Sequence, residues 1–418
     1  MPRKTSKKMK KSEHSLLISV SLFSFVSFML LFIRSGEIRS LILALAVPCV
    51  QYAAARVLVQ FFSADPLLFS LVNFLCALGM IVLYRIDPSL GMRQPLYYAA
   101  GVGAMIICVL AVRGMKKWQV PVLLMMGGSL LLLALPLVMG REINGAKAWI
   151  FFGGVSFQPS ELVKVFLILC VSFMLSRRQR VMSIIYAALC ILLLALQRDM
   201  GAALLFYFTV LLLIYVSTGS LVLTLAGLAA GFAAAYIGYS HFPYIQSRVA
   251  MWQDPWQDEY GKGYQIVMGL IAMVNGGLMG TGLGSGNMTT IPEAQNDYIF
   301  AIITNEFGMI FAALVVVMYI MIVVRGAMIA RRSTSAMHAY LSIGSVCILA
   351  VQTFVIIGGV IKLIPLTGVT LPFISAGGSS MVSAMCLIGL VQGVEARNRD
   401  LLDEDEEMAE HAREGGSS

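Results

Sequence analysis

The stretch most suited to chemistry is Pro292-Glu293-Ala294-Gln295-Asn296-Asp297-Tyr298-Ile299-Phe300. It sets two carboxylates four residues apart, just ahead of an aromatic and apolar run. On a helix that spacing puts Glu293 and Asp297 on one face. A carboxylate among apolar neighbours resists ionisation and can accept a proton near neutral pH, which is the work of a general base. The residues allow a second reading with equal force, in which Asp297 caps a helix that begins near Ile299. Cations fall in the same class of loops: Arg248, Lys262 and Lys362, with Arg141 and Lys147 earlier. Together they suit an anionic lipid phosphate, whereas each taken singly is read more simply as an interfacial anchor.

Other groups extend or limit the chemistry. Glu161 and the Arg198-Asp199 pair fall at expected membrane depth or its edge. Ionisable groups there cost roughly 2.5–3.5 kcal/mol on insertion scales and are functional candidates by default. The run Gly276-Gly277-Leu278-Met279-Gly280-Thr281-Gly282-Leu283-Gly284-Ser285-Gly286 has the look of a phosphate cradle. It follows no strand and lacks the Gly-Lys-Ser/Thr ending, so a close backbone approach or a re-entrant element is the better expectation. The cysteines lie singly inside apolar stretches and the histidines form no ligand spacing, so no structural metal is expected.

These residues are positioned by apolar helices. Of 418 residues, 59% are hydrophobic and 12% charged. A soluble domain could not bury that much apolar surface and keep a polar shell. The fold class expected is therefore an all-α polytopic membrane protein with about twelve spans. They are placed near 15–33, 40–61, 67–84, 94–113, 118–139, 160–176, 182–197, 200–217, 220–240, 304–325, 339–359 and 379–394. The segment 182–197 is short for a span. The N-terminal apolar run lacks a small-residue cleavage site and is taken as a retained first span.

The net charge of +8 resides in short basic runs between apolar segments, which argues for anionic lipid and against nucleic acid. The head (Arg3, Lys4, Lys7, Lys8, Lys10, Lys11) and the loops with Arg113, Lys116 and Lys117, with Arg177, Arg178 and Arg180, and with Arg325, Arg331 and Arg332 all fall on one side after even span counts. That side is expected to be cytoplasmic, with both termini on it. The acidic run Asp403 to Glu414 reads as a disordered, solvated tail. Three opposite-side loops stand out, at 141–160, 241–304 and 362–378. The middle one is long and aromatic, which favours a functional role.

The order of several blocks resembles the shape, elongation, division and sporulation (SEDS) family, typified by RodA and FtsW. The blocks are Asn144-Gly145-Ala146-Lys147-Ala148-Trp149-Ile150, Gln158-Pro159-Ser160-Glu161-Leu162-Val163-Lys164, Gln197-Arg198-Asp199-Met200-Gly201, Gly263-Tyr264-Gln265, Pro292 to Phe300, and Leu371-Pro372-Phe373-Ile374-Ser375-Ala376-Gly377-Gly378-Ser379-Ser380. The likeness spans roughly residues 67–396. It divides the chain into a basic tail (1–14), an additional helix pair (15–62), a core (63–396, large loop about 241–303) and an acidic tail (397–418).

The resemblance implies a bacterial plasma-membrane peptidoglycan glycosyltransferase that polymerises lipid II and works with a class B penicillin-binding protein, a transpeptidase. The family's catalytic aspartate matches Asp297. Inversion at an α-linked diphosphate sugar, giving a β-1,4 linkage, needs one base and positive charge for the leaving group. That charge could come from Arg, Lys or a divalent cation such as Mg or Mn. Glu293, Arg248, Lys262, Lys362, Lys147, Glu161, Lys164, Ser375 and Ser379 are the candidate substrate-binding residues. Thr367, where division-type members often carry Lys, tilts the likeness toward an elongation-type member. A lipid II flippase and a non-catalytic scaffold of the cell-wall machinery are the alternatives. A flippase should line its charges along a path through the membrane, and a scaffold should tolerate loss of Asp297.

Overall fold

The computed structural model describes residues 11–415 except 116, 144, 153–154 and 287–290. Arg3, Lys4, Lys7, Lys8, Lys10, Lys116 and Asn144, used above, lie outside the described residues. The chain is a helical bundle: α1 (Lys11–Ser35), α2 (Ile38–Phe62), α3 (Pro66–Ile86), α4 (Pro88–Gly114), α5 (Gln119–Met139), α6 (Pro159–Ser176), α7 (Arg180–Leu196), α8 (Met200–Thr218) and α9 (Leu221–His241). Two short helices follow, α10 (Pro243–Gln253) and α11 (Tyr264–Gly276), and then α12 (Ile299–Arg331), α13 (Ala336–Val360) and α14 (Gly378–Gly415).

Eleven helices among the described residues are long and apolar enough to span a membrane. The short segment expected at 182–197 is α7, 17 residues long. This is a multi-pass membrane protein. α3 is buried along almost its whole length at the centre, while α9 has no buried residue.

Asp65 starts α3 by accepting from the Leu68 N–H at 2.9 Å, with Pro66 at the first helical position, where its missing N–H costs nothing. Asp65 also pairs with Arg325 on α12, and Gln392 on α14 accepts from the Asp65 N–H at 2.6 Å. Arg113 grips Asp400 through Nε at 2.6 Å and Nη2 at 2.5 Å. These polar knots hold one end of the bundle.

One expectation changes, and two features are added. The acidic run after Asp400 continues α14 as helix to Gly415, with residues 402–408 exposed. Leu, Glu, Met and Ala are strong helix formers, and the run extends a helix already nucleated in the bundle. The connection 141–160 contains a small antiparallel sheet: β1 (Arg141–Ile143), β2 (Ala146–Phe152) and β3 (Val155–Phe157) in that order. The extra pair α1–α2 is docked on the core. Phe23 lies 4.7 Å from Phe74, and Gln51 donates to the Asn73 carbonyl at 2.9 Å.

Candidate functional site

The end of the bundle opposite the Asp65 knot is organised around a break in α12. Gly308 has φ +87° and interrupts the helix. A break exposes carbonyls and N–H groups that a membrane protein must pair internally. The glycine run supplies the partners. Thr281 and Gly282 N–H groups donate to the Asn305 and Glu306 carbonyls at 2.9 and 3.0 Å, and Met309 N–H donates to the Gly277 carbonyl at 3.0 Å. A Cβ on Gly308 would sit 2.3 Å from the Leu278 carbonyl oxygen, so the approach requires glycine. Arg85 completes the junction, donating to the Gly284 and Gly286 carbonyls at 3.1 Å and facing Glu306 at 3.4 Å. Arg34 of the extra pair reaches Ser285 Oγ at 2.7 Å. The run is thus a close-packed backbone element.

Asp297 sits just before the first half of this broken helix. The segment 292–298 is a succession of turns, with Asp297 N–H donating to the Glu293 carbonyl at 3.1 Å and Glu293 at φ +51°. The capping reading of Asp297 fails: Tyr298 is the N-cap of α12, and no side chain caps there. Tyr298 is anchored beneath α11, where a Cβ on Gly269 would meet its ring at 2.3 Å. The Asp297 residue is half-buried, and among the described residues no donor reaches its carboxylate. Burial pushes its pKa up to about 7; the Glu293 carboxylate adds to the rise and the Arg248 guanidinium opposes it.

The connection between α13 and α14, residues 361–377, draws the other candidates together. A Cβ on Gly368 (φ +76°) would lie 3.8 Å from Asp297 Oδ2. Arg248 donates to the Leu366 carbonyl at 3.2 Å, and Lys362 Nζ to the Gln253 carbonyl at 3.3 Å. Ser375 Oγ donates to the Asn296 carbonyl at 2.7 Å and accepts from the Leu371 N–H at 2.9 Å, tying the connection to the Asp297 turn. Thr370 faces inward: its carbonyl accepts from Gln352 Nε2 at 2.7 Å, and its hydroxyl meets Ser380 at 2.7 Å. Gln352 Oε1 in turn accepts from Lys164 Nζ at 3.0 Å, and Lys164 pairs with Glu161 at 2.7 Å. Ser383 donates to Glu161 as well.

Alongside, Asp199 caps α8 by accepting from the Ala202 N–H at 3.0 Å, and it accepts from Gln158 Nε2 at 2.9 Å. Gly201, two residues on, abuts Thr367 and Val369. Lys147 joins this edge through its backbone, its N–H donating to the Gln197 carbonyl at 2.9 Å, while its ammonium donates to the Leu137 carbonyl at 3.0 Å at the end of α5.

Two expected residues stand apart. Lys262 is exposed in the turn before α11, bonded through its N–H to Asp258 Oδ2 at 2.9 Å. Ser379 is half-buried, and the polar contacts on its part of α14 are made by Ser380 and Ser383 instead. Gln158, Gln352, Thr370 and Ser383 were missed. Gln352 carried a readable signal, an amide in the middle of an apolar span.

Fold and site define a class: a polytopic membrane protein that holds a half-buried carboxylate at one end of its bundle, beside a polar connection. The family model of FtsW, RodA and SpoVE, described as cell cycle proteins, matches residues 57–400, and the chain belongs to that family. The peptidoglycan glycosyltransferase RodA of Mycobacterium tuberculosis is 31% identical over 361 residues, 78% of this chain and 77% of the relative. The stage V sporulation protein E of Bacillus subtilis is 30% identical over 365 residues, 81% of this chain and 98% of the relative. Among solved structures, a chain of a peptidoglycan synthase complex that coordinates polymerization and crosslinking superposes with TM-score 0.66 at 29% identity, covering 80% of this chain and 98% of that one. The RodA crystal structure from Thermus thermophilus matches with TM-score 0.60 at 27% identity, covering 81% and 98%.

Proposed function

We propose that the protein is a peptidoglycan glycosyltransferase that polymerises lipid II into β-1,4 glycan strands, with Asp297 as general base. The observation that carries this reading is the state of Asp297: half-buried, without a donor among the described residues, and with a pKa near 7. Its carboxylate takes the proton of the acceptor sugar hydroxyl as that oxygen attacks the anomeric carbon of the donor. The bond from that carbon to the diphosphate breaks on the opposite face, and the configuration inverts. The leaving diphosphate already departs readily and needs mainly positive charge, for which Arg248 and Lys362 stand on the same side as Asp297. Among the described residues no three His, Cys, Asp or Glu side chains group as a metal site, and no step is routed through a divalent cation.

The transporter reading leans on Glu161, Arg198 and Asp199. Glu161 is paired with Lys164, Asp199 caps α8, and Arg198 is exposed beside Glu142, so these charges do not line a path. The topology that fits has both termini on the cytoplasmic side of a bacterial plasma membrane, because the basic connections share the end opposite Asp297. The partner that fits is a class B penicillin-binding transpeptidase, in line with the crosslinking complex to which the fold is similar.

The test is polymerisation of lipid II by the full-length protein with its transpeptidase, wild type against Asp297→Asn. Glycan strands from wild type and none from the folded variant are expected. Equal activity of the two removes Asp297 as base. Translocation of lipid II across vesicles without any polymer overturns the enzyme reading.

A further inference from the structure

The end of the bundle away from Asp297 holds a cavity that the glycosyltransferase reading does not use. Its volume is about 840 Å³, and it is lined by the ends of α4 and α6, the starts of α5 and α13, and Arg397 midway along α14. It lies at the start of α13, whereas Asp297 neighbours the connection after that helix. The 25 residues of α13 separate the two by about 37 Å.

Among the described residues four cations line it: Arg113, Lys117, Arg177 and Arg397. Asp400 neutralises Arg113, and among the described residues the other three have no carboxylate partner. The N-terminus of α13 opens into the same space, since Ser335, Ala336, Met337 and His338 all line it. Ser335 is its N-cap and makes no side-chain capping bond, so the first N–H groups of a 25-residue helix meet the cavity with their positive dipole end uncompensated. His338 Nε2 is buried there without a hydrogen-bond partner. Unpaired cations, free N–H groups and a helix N-terminus converging on one cavity make a site for a phosphate group. The remaining wall is mixed: Gln119 and Ser176 stand beside Val112, Met115, buried Trp118, and Phe173, whose ring carries Arg177 at 5.6 Å. That combination, at the basic end of a membrane bundle, suits a headgroup whose acyl chains continue along the helices.

We infer that this cavity binds the phosphate of an anionic glycerophospholipid, on the membrane face opposite the catalytic carboxylate. Lys117, Arg177 and Arg397 hold the phosphate oxygens, with the α13 N–H groups behind them. Neither the base nor the lipid II site takes part, so the property is independent of the polymerase reading.

The experiment is native mass spectrometry of the delipidated full-length protein titrated with phosphatidylglycerol or phosphatidylcholine. Wild type is expected to bind phosphatidylglycerol at least about ten-fold more tightly, and Lys117→Gln/Arg177→Gln/Arg397→Gln to lose that preference. The single variant Arg177→Gln, at an exposed residue, should lose part of it and serves if the triple variant does not fold. Arg177→Lys/Arg397→Lys should keep it. An unchanged preference in the Gln variants overturns the site. Displacement of the lipid by glycerol phosphate at equal concentration overturns the lipid assignment in favour of a soluble phosphate ligand.

Discussion

Two carboxylates set against the same connection have opposite surroundings. Glu161 faces the Lys164 ammonium at 2.7 Å and the Ser383 hydroxyl, and Lys164 is bonded onward to Gln352 and through it to Thr370. Asp297, on the other side of residues 361–377, has among the described residues no donor on its carboxylate, only the field of Arg248 against that of Glu293. A carboxylate bound to an ammonium and a hydroxyl is fixed in position and serves as a strut. One that is desolvated without donors is held near neutrality and is ready to take a proton. The bundle thus uses one acid to hold the connection in place and leaves the other free beside it.

The largest effect expected is on turnover. Asp297→Asn should lower polymerisation by about 100- to 10,000-fold, the usual worth of a general base, while the protein stays folded. Its stability should move in the unexpected direction. With a folded pKa near 7, raised above that of an exposed aspartate, the group stabilises the fold fully at low pH and loses that contribution as pH rises through 7. Thermal unfolding in detergent at pH 8 should therefore show Asp297→Asn at least as stable as wild type, and a clear fall in melting temperature would show a stabilising partner for Asp297 beyond the described residues.

Glu161→Gln should do the reverse. It leaves the Lys164 ammonium, 3% exposed, without its counter-ion, a loss typically worth about 3–5 kcal/mol. The melting temperature should drop, and Glu161→Gln/Lys164→Met should recover much of it. If Glu161→Gln melts like wild type but is inactive, the pair belongs to the chemistry and the contrast collapses.

Gly308→Val tests whether the α12 break positions Asp297. Its Cβ would meet the Leu278 carbonyl at 2.3 Å at a positive φ that a branched residue resists. Lower activity with a weakened pH dependence is expected, measured on protein that still purifies as a folded species.

The smallest effects concern the pH profile, and they have opposite signs. Activity should rise with pH through about 7 as Asp297 ionises. Removing a cation that favours ionisation, Arg248→Gln, should move that limb to higher pH. Removing an anion that opposes it, Glu293→Gln, should move it lower. Shifts of the same sign would show that the limb belongs to another group.

Much of this was legible in the chain. Apolar runs of span length, basic connections on alternate turns and the spaced motifs led to the helical bundle, the family and Asp297, because lipid leaves few ways to bury a polar backbone. The glycine run was rightly expected to be a close backbone approach, but nothing in its spacing pointed to Gly308 as the place it fills. The acidic tail misled, because charge and composition suggested disorder while helix continuity from α14 prevailed. Motif and loop membership point to Lys262 and Ser379, and those do not say which way a side chain faces.

What the sequence determined by itself was local and solvent-driven: which segments span, which end is basic, and which acid precedes an aromatic run. Only the tertiary structure decided which acid is paired. Glu161 and Asp297 are both carboxylates in apolar company along the chain. Their difference comes from Lys164 and Ser383 converging on one, with Gln352 holding Lys164, and from the Gly368 turn closing over the other with no donor among the described residues. Ionisation is set by groups a few ångströms away in space, brought together from helices that lie far apart in sequence.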